Sequence, residues 1–159
     1  MNITLTLDFV RETIKEWGTA EQVRSNRIKI TTNPENIRIV ITAARDMLLC
    51  DRLVTMSSVD NGRTFELIYH LIGPHRMVVS VATELPRDKP EIQSMADYLL
   101  PAGIYERQIH DLLGIYFIGH PDLKKIILNE DWPADEHPLR KDWKQNPDTY
   151  YGGIKGERV

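Results

Sequence analysis

The residues best suited to chemistry are three histidines in the second half of the chain, His110, His120 and His137. Two acids, Asp131 and Glu136, lie close to them in sequence. Imidazole and carboxylate groups are common ligands of zinc and iron, so one hypothesis is a stand-alone metal-dependent enzyme. No two of these histidines have the i, i+4 spacing that places two ligands on one helix face. The metal hypothesis therefore has weak support from spacing.

A helix that begins near Pro101 would position the first of these histidines. Its apolar stripe contains Tyr105, Ile109, Leu112 and Leu113. The opposite face would carry Glu106, Arg107, His110 and Asp111, whose i, i+4 pairs are worth roughly 0.2–0.5 kcal/mol each. Gly114 is typical of the end of a helix. Spacing alone therefore predicts an ordinary charged face in contact with solvent.

The chain changes character after this helix. The segment Asp122–Leu128 has an acid at its start and lysines later, which predicts a short helix aligned with its dipole. Pro133 and Pro138 then favour extended backbone at the residues before them. Helical structure is therefore expected to end near residue 128.

The last segment has the composition of an interface. Aromatic residues occur among charges without an apolar period, at Trp132, Trp143, Tyr150 and Tyr151. Aromatic residues and arginine in such a setting are typical of protein–protein contacts. We therefore predict a single α+β domain over residues 1–128 and an extended C-terminal docking strap over residues 129–159.

The first part of the chain predicts an α+β fold. Predicted helices cover residues 8–17, 34–48 and 91–99, and predicted strands cover residues 27–32, 52–59, 64–72 and 76–85. Asp60-Asn61-Gly62 is a strong hairpin signal between two of the strands. The last three strands form an antiparallel meander whose apolar face needs helices as cover. We predict a two-layer sandwich, mainly antiparallel sheet covered by helices.

Composition narrows the function classes. A net charge of −3 offers no general phosphate-binding field, so no nucleic acid partner is expected. The single cysteine, Cys50, cannot hold an iron–sulfur cluster or a structural zinc alone. No apolar run approaches the roughly 18 to 20 residues of a membrane span, and the N-terminus lacks the features of a signal peptide. We expect a cytosolic protein that meets a membrane only through other chains.

One long pattern joins the helix to the strap. The chain reads G-I-Y-F-I-G-H-P-D-L-K-K-I-I-L from Gly114, then Asp131-Trp132, then H-P-L-R-K-D-W from His137. This pattern strongly resembles the signature of the 30 kDa subunit, also called the C subunit, of respiratory complex I. The equivalent subunit of membrane-bound energy-converting nickel–iron hydrogenases has the same signature. Further matches occur at Glu106, Arg107 and Asp111, with a weaker one at Val59-Asp60 and residues 65–70.

Three positions depart from the family pattern. Gln108, Glu136 and Lys144 stand where the family has Glu, Gly and Pro. These departures suit a relative of complex I as readily as complex I itself. The choice between the complex I branch and the hydrogenase branch therefore stays open.

The resemblance implies a non-catalytic structural subunit in the hydrophilic arm of a membrane-bound complex I-like or hydrogenase-like oxidoreductase. It implies no cofactor in this chain, and iron–sulfur clusters, with nickel–iron or flavin in some complexes, in partner subunits. The implied partners are a hydrogenase-large-subunit-like chain, which has an equivalent in complex I, and neighbouring iron–sulfur subunits. Such a protein would support electron transfer coupled to ion translocation, held peripherally at the cytoplasmic face of the cell membrane.

The resemblance also implies which residues contact the partners. They are Glu106, Arg107, Asp111, His120, Pro121, Trp132, His137, Pro138, Arg140, Lys141 and Trp143. Among them, Arg140 is expected to pair with a partner carboxylate through two parallel hydrogen bonds, which lysine could not reproduce. Its charge reversal is accordingly expected to leave the stability of the isolated chain nearly unchanged.

Overall fold

The computed structural model of the chain describes residues 5–146. Three α-helices, two short 3-10 helices (Pro34–Asn36 and Pro74–Arg76) and seven strands occur in this part of the chain. In chain order the α-helices and strands are α1 (Leu7–Ile14), β1 (Gly18–Arg24), β2 (Arg27–Thr32), α2 (Ile37–Asp46), β3 (Arg52–Asp60), β4 (Thr64–Ile72), β5 (Val78–Pro86), β6 (Glu91–Gln93), α3 (Ala102–Leu113) and β7 (Tyr116–Ile118). Residues 147–159, the end of the predicted strap, lie outside the described part.

Five of the strands form one mixed sheet in the order β1-β2-β5-β4-β3. The pairs β3–β4 and β4–β5 are antiparallel, which confirms the predicted meander. Strand β2 lies parallel to β5 and carries β1 at the sheet edge. Strands β6 and β7 form a second, parallel pair beside the main sheet.

The core lies on one face of the main sheet. Strand β4 alternates strictly, and its residues Phe65, Leu67, Tyr69 and Leu71 are fully buried while their neighbours are partly exposed. Helix α2 contributes Val40, Ile41 and Ala44 to the same core. The predicted α+β fold with helices covering one sheet is therefore confirmed.

Two predicted helices are wrong, for the same physical reason. Residues 91–99 contain strand β6 and turns instead, since β6 pairs with β7 and the Ser94 amide donates to the Ile118 carbonyl. Residues 122–128 form no helix, because the amides at the end of this segment donate to a side chain of α3. In both cases hydrogen bonds to residues distant in sequence fix part of the segment in a non-helical conformation.

Two further boundaries differ from the sequence prediction. Helix α1 ends at Ile14 rather than Trp17, and the residues after it form the unpredicted strand β1. Strand β1 has mostly exposed side chains and lacks an apolar alternation, so the sequence shows no sign of it. It exists because its backbone pairs along almost its whole length with β2.

We expect Tyr69→Phe to stabilise the protein. The Tyr69 hydroxyl is buried and has no hydrogen-bond partner in the described part of the chain. Removing it should raise the free energy of unfolding by up to roughly 1–3 kcal/mol, measured by urea denaturation. Tyr105→Phe is the control, because its hydroxyl donates to the Val54 carbonyl at 2.9 Å and its loss should destabilise. An equal decrease in the free energy of unfolding of both variants would contradict the conclusion that the Tyr69 hydroxyl is unpaired.

Candidate functional site

Glu106 is buried inside the chain rather than on an exposed face. Its side chain is 0 % exposed, and it accepts hydrogen bonds from the Ser94 hydroxyl at 2.5 Å and the Met95 amide at 2.7 Å. Burial raises the pKa of Glu106, although both hydrogen bonds favour the charged form and so oppose the rise. Glu106 therefore anchors the turn after β6 to helix α3.

Asp111 is the second carboxylate of α3 that was expected to face solvent, and it is only 3 % exposed. Its Oδ2 accepts hydrogen bonds from the amides of Ile126, Ile127 and Leu128 at 2.7, 2.8 and 3.3 Å. Three successive amides converging on one carboxylate oxygen fix the loop of residues 119–128 against the helix. The prediction of a solvated charged face is therefore wrong for Glu106 and Asp111.

Arg107 and His110 of α3 also bind backbone carbonyls rather than the acids one turn away. Arg107 Nε and Nη2 donate to the carbonyls of Lys124 and Lys125 at 2.8 and 2.9 Å. Arg107 therefore holds the carbonyls of the same loop whose amides Asp111 holds. The Nδ1 of His110 donates to the Ile115 carbonyl at 2.9 Å, just beyond the end of the helix.

His120 links the start of the loop to the beginning of α3. Its Nε2 donates to the Gly103 carbonyl at 2.9 Å, and its Nδ1 accepts from the Asp122 amide at 3.0 Å. This arrangement requires the neutral ring with hydrogen on Nε2, because a hydrogen on Nδ1 would face the amide hydrogen. The ring lies 4.0 Å from Glu106 Oε2 and its side chain is 3 % exposed.

The strap caps the C-terminus of α3. The last carbonyls of a helix have no partner within the helix. Here His137 Nδ1 donates to the Asp111 carbonyl at 2.9 Å, the Leu139 amide to the Leu112 carbonyl at 3.0 Å, and Arg140 Nε to the Leu113 carbonyl at 2.8 Å. Three residues of the H-P-L-R segment therefore serve three consecutive carbonyls of the helix.

Gly114 allows this cap to form. It has a φ of 74° and its amide donates to the His110 carbonyl, which completes the set of four terminal carbonyls. A Cβ at this position would overlap the His137 ring and lie 2.5 Å from Arg140 Nη2. Glycine is thus required here both for backbone conformation and for space.

Arg140 Nε is therefore committed within the chain, and the expected pairing of this guanidinium with a partner carboxylate stays a prediction. Its guanidinium lies 5.4 Å from the centre of the Phe65 ring, and it ends the helix as a cation, where the helix dipole favours positive charge. Charge reversal at Arg140 should consequently destabilise the isolated chain. Sequence reasoning missed this because capping and partner binding call for the same residue types.

Asp60 fixes the strap beyond Arg140. Its side chain accepts hydrogen bonds from the amides of Lys141 at 2.9 Å and Gly62 at 2.7 Å, and it pairs with Arg87 at 3.2 Å. Burial acts to raise the pKa of Asp60, but the two amides and Arg87 together outweigh it and lower the pKa. Arg87 also pairs with Asp142. The sequence analysis did not predict that Asp60 or Arg87 would hold the strap. The weak family match at Val59-Asp60 was the one sign that Asp60 matters beyond the hairpin turn.

The two tryptophans of the strap stack on each other. The rings of Trp132 and Trp143 lie 6.0 Å apart, and their indole N–H groups donate to the Glu136 carbonyl and carboxylate. The indoles therefore fold the described part of the strap onto itself. Whether they also contact a partner stays a prediction.

Large apolar side chains project outward from the anchored loop and strap. Ile126, Ile127 and Leu139 are 40, 55 and 59 % exposed. Their backbone amides are bound by consecutive residues of α3, Asp111 and Leu112. The outward face is thus apolar and held by a rigid support, which suits a docking surface.

The three histidines do not form a metal site. Each ring binds a backbone carbonyl, and residues 5–146 contain no group of three His, Cys, Asp or Glu residues that could hold a metal ion. Over the same residues, no helix is long and apolar enough to cross a membrane. The three histidines hold the chain's own backbone in place, and this geometry does not favour the hypothesis of a metal-dependent enzyme.

Comparison with known proteins gives one consistent family. The family model described as respiratory-chain NADH dehydrogenase, 30 Kd subunit, matches residues 30–149. The C subunit of the F420H2 dehydrogenase of Methanosarcina mazei is 34 % identical over 86 % of this chain and 85 % of its own length. The C subunit of the NADH-quinone oxidoreductase of a Chelativorans species is 33 % identical over 82 % of this chain. The match spans only 64 % of that relative's length.

Solved structures share the fold. A chain of an archaeal membrane-bound sulfane sulfur reductase complex superposes with a TM-score of 0.72 at 24 % identity, covering 86 % of this chain and 84 % of its own length. A trypsin-resistant fragment of Nqo5 superposes with a TM-score of 0.61 at 20 % identity, covering 72 % of this chain and 96 % of the fragment. At these identities the likeness concerns the fold alone.

We expect Gly114→Ala to detach the strap from α3. The left-handed backbone costs roughly 1–2 kcal/mol for alanine, and the new methyl group would displace His137 and Arg140. Urea denaturation should show lower stability, and trypsin should cleave faster after Lys141. Gly119→Ala is the matched control, because Gly119 has a φ of 80° but no atom within 4 Å of a Cβ. Similar proteolysis of both variants would argue against the capping role.

We expect the stability contribution of Glu106 to fall as pH rises. The unfolded carboxyl ionises near 4.5 while burial raises the folded pKa, so the folded state loses stability between these two values. Relative to Glu106→Gln, the free energy of unfolding should be highest near pH 4.5, fall as pH rises through the folded pKa, and then level off. Urea denaturation across this range measures the difference.

A second variant checks the cause of this pH dependence. Ser94→Ala removes a hydrogen bond that favours the charged form of Glu106, so it should move the decline toward higher pH. A relative stability that increases with pH would refute the assignment of a raised pKa to Glu106.

Proposed function

Because the chain belongs to the family of the 30 kDa subunit of respiratory-chain NADH dehydrogenase, we propose that it is a structural subunit of a membrane-bound oxidoreductase. The parent complex is of the complex I type or the hydrogenase type. Its named relatives are subunits of multi-subunit oxidoreductases, so the chain is a component of such a complex rather than an enzyme on its own.

The observation that carries the proposal is that signature residues form hydrogen bonds within their own chain. Glu106, Arg107, Asp111, His137 and Arg140 all bind backbone or side chains of their own chain. A catalytic or metal-binding role would need free side-chain atoms converging on a substrate or ion. Because these signature residues hold the loop of residues 119–128 and the strap in place, the surface formed by the loop and strap has a fixed shape. A fixed surface supports scaffolding as the function.

We place the direct contacts at the outward side chains of the loop and strap. Pro121, Ile126, Ile127, Leu139 and Lys141 are exposed there. Binding to a preformed surface costs less conformational entropy than binding to a mobile one. The partly buried Trp132, Pro138 and Trp143 belong to the rim of this surface, while Glu106, Asp111 and the His120 side chain support it from inside the chain.

The proposed partner is the hydrogenase-large-subunit-like chain, with iron–sulfur subunits beside it. Iron–sulfur clusters, and nickel–iron or flavin in some complexes, would lie in these partners, and this chain would hold none. Rigid contacts suit this role because electron transfer depends steeply on the distance between cofactors. The complex would act at the cytoplasmic face of the membrane and couple electron transfer to ion translocation.

We expect Ile127→Glu to weaken association with the partners. Burying an unpaired carboxylate in an apolar contact is unfavourable, and a central contact is worth about 2 kcal/mol or more, or over tenfold in affinity. Recovery of partners with the tagged chain from detergent-solubilised membranes should fall, while the melting temperature of the chain stays unchanged. Ile127 is 55 % exposed, which explains the unchanged stability.

Val23→Glu is the matched control. Val23 is 50 % exposed but lies on the edge strand β1, away from the loop and strap. This variant should recover the partners normally. If both variants recover the partners normally, the proposed location of the interface is wrong.

A further inference from the structure

Helix α3 turns its charged residues inward and its uncharged residues outward. Its two carboxylates are buried, and its arginine and histidine donate to backbone carbonyls of the same chain. Among the residues Ala102–Leu113, all of which the structure describes, the exposed ones are Ile104, at 60 %, and Gln108. A surface helix normally shows the opposite arrangement. The outward face of α3 is therefore uncharged although the helix is rich in charge.

Two flanks turn this face into a shallow groove. Successive residues are about 100° apart around a helix, so Tyr105 and Arg107 lie on opposite sides of the line through Ile104 and Gln108. The Tyr105 hydroxyl donates to the Val54 carbonyl of β3, the last strand of the main sheet. Arg107 donates to carbonyls of the loop on the other side. The groove therefore runs along α3 between the sheet edge and the loop.

The groove is lined by exposed apolar side chains. Leu100, in the turn that leads into α3, is 87 % exposed, and Val54 on one flank is 51 % exposed. The other flank contains Ile126 and Ile127 of the loop. A single exposed apolar residue is ordinary, but several around one uncharged helix face are typical of an interface. The groove is continuous with the docking surface placed at the loop and strap, and the inference drawn from it rests on that proposed function.

The backbone beside the groove limits what kind of segment can occupy it. An extended segment binds by pairing its backbone with free groups of its neighbour. Here the Val54 carbonyl is bonded to Tyr105, and the amides of Ile126 and Ile127 are bonded to Asp111. A helix satisfies its own backbone and needs only apolar contact from its neighbour. The groove therefore favours a helix over an extended segment.

We propose that a helix of the partner subunit lies in this groove along α3, with aliphatic side chains around Ile104 and no charge facing Gln108. Ile104 and Gln108 are four residues apart and form one ridge of the kind that packs into the groove of another helix. The Gln108 amide binds a neutral polar group of the partner helix through its donor and acceptor atoms. Gln108, where the family pattern has Glu, thus selects a partner surface without a facing cation.

Photo-crosslinking in the assembled complex tests the nature of the occupant. p-Benzoylphenylalanine is placed at position 104 in one sample and at position 108 in another, and mass spectrometry identifies the partner residues that react. The two probes are about 6 Å apart along α3, which corresponds to about four residues of a helix or about two of a strand. We expect cross-links to one partner subunit at positions about four residues apart. Positions about two apart, cross-links to a second copy of this chain or to lipid, or no cross-link would overturn the proposal.

Variants at Gln108 test the requirement for an uncharged face. Gln108→Glu should lower recovery of the partner subunit from detergent-solubilised membranes roughly tenfold or more, because the contact would bury an unpaired carboxylate. Gln108→Met is the matched control, because it keeps the approximate length of the side chain without a charge and should recover the partner normally. The melting temperature of the chain should be unchanged in both, since the Gln108 side chain is exposed. Equal recovery with the two variants would overturn the proposal.

Comparison with Ile127→Glu separates this inference from the proposed function. Normal recovery with Gln108→Glu but reduced recovery with Ile127→Glu would refute the helix in the groove and leave the docking surface of the loop and strap in place. Normal recovery with both variants would refute the location of that docking surface as well.

Discussion

The unpaired carbonyls at the end of α3 are the constraint around which the second half of the chain is built. A helix that ends inside a protein must find donors for these groups. The chain supplies them from one short segment, through a ring nitrogen, an amide and a guanidinium at His137, Leu139 and Arg140. Pro138, between the first two, restricts the backbone of the segment where it follows the helix end.

The same helix also organises the loop that precedes the strap. Asp111 accepts hydrogen bonds from the amides of the loop, and Arg107 donates hydrogen bonds to its carbonyls. The helix therefore supplies partners for both the donors and the acceptors of the loop backbone. A loop without regular structure is thereby given a single conformation. The consequence for function is an outward surface whose shape is set before any partner arrives, which limits the entropy that association must overcome.

Sequence reasoning predicted elements whose determinants are local. The hairpin at Asp60-Asn61-Gly62, the alternation of β4 and the end of α3 at Gly114 all depend on neighbouring residues, and all three were predicted correctly. Strand β1 depends on backbone pairing with the next strand and has no apolar alternation, and the loop of residues 119–128 depends on side chains of α3, so periodicity could not reveal either. Glu106 and Asp111 were misplaced because helical spacing reports which residues share a face, and it does not report what covers that face.

The family signature includes Glu106 and Asp111, the two residues whose exposure was misjudged. Recognising a family requires only the identity of these residues, whereas their roles depend on whether each side chain turns inward or outward. Arg140 illustrates the difference, since a guanidinium suits both a partner carboxylate and a helix terminus. Burial places the two carboxylates inside the chain, and Arg140 Nε bonds the end of α3, while a contact between Arg140 and a partner stays a prediction.

A cryo-electron microscopy structure of the membrane complex purified through a tag on this chain would test the central claim most directly. We predict that Ile126, Ile127 and Leu139 are covered by a neighbouring chain, while Asp111 and Arg140 keep their bonds within their own chain. A strap that has left α3, with Asp111 or Arg140 bonded to another protein of the complex, would contradict this account.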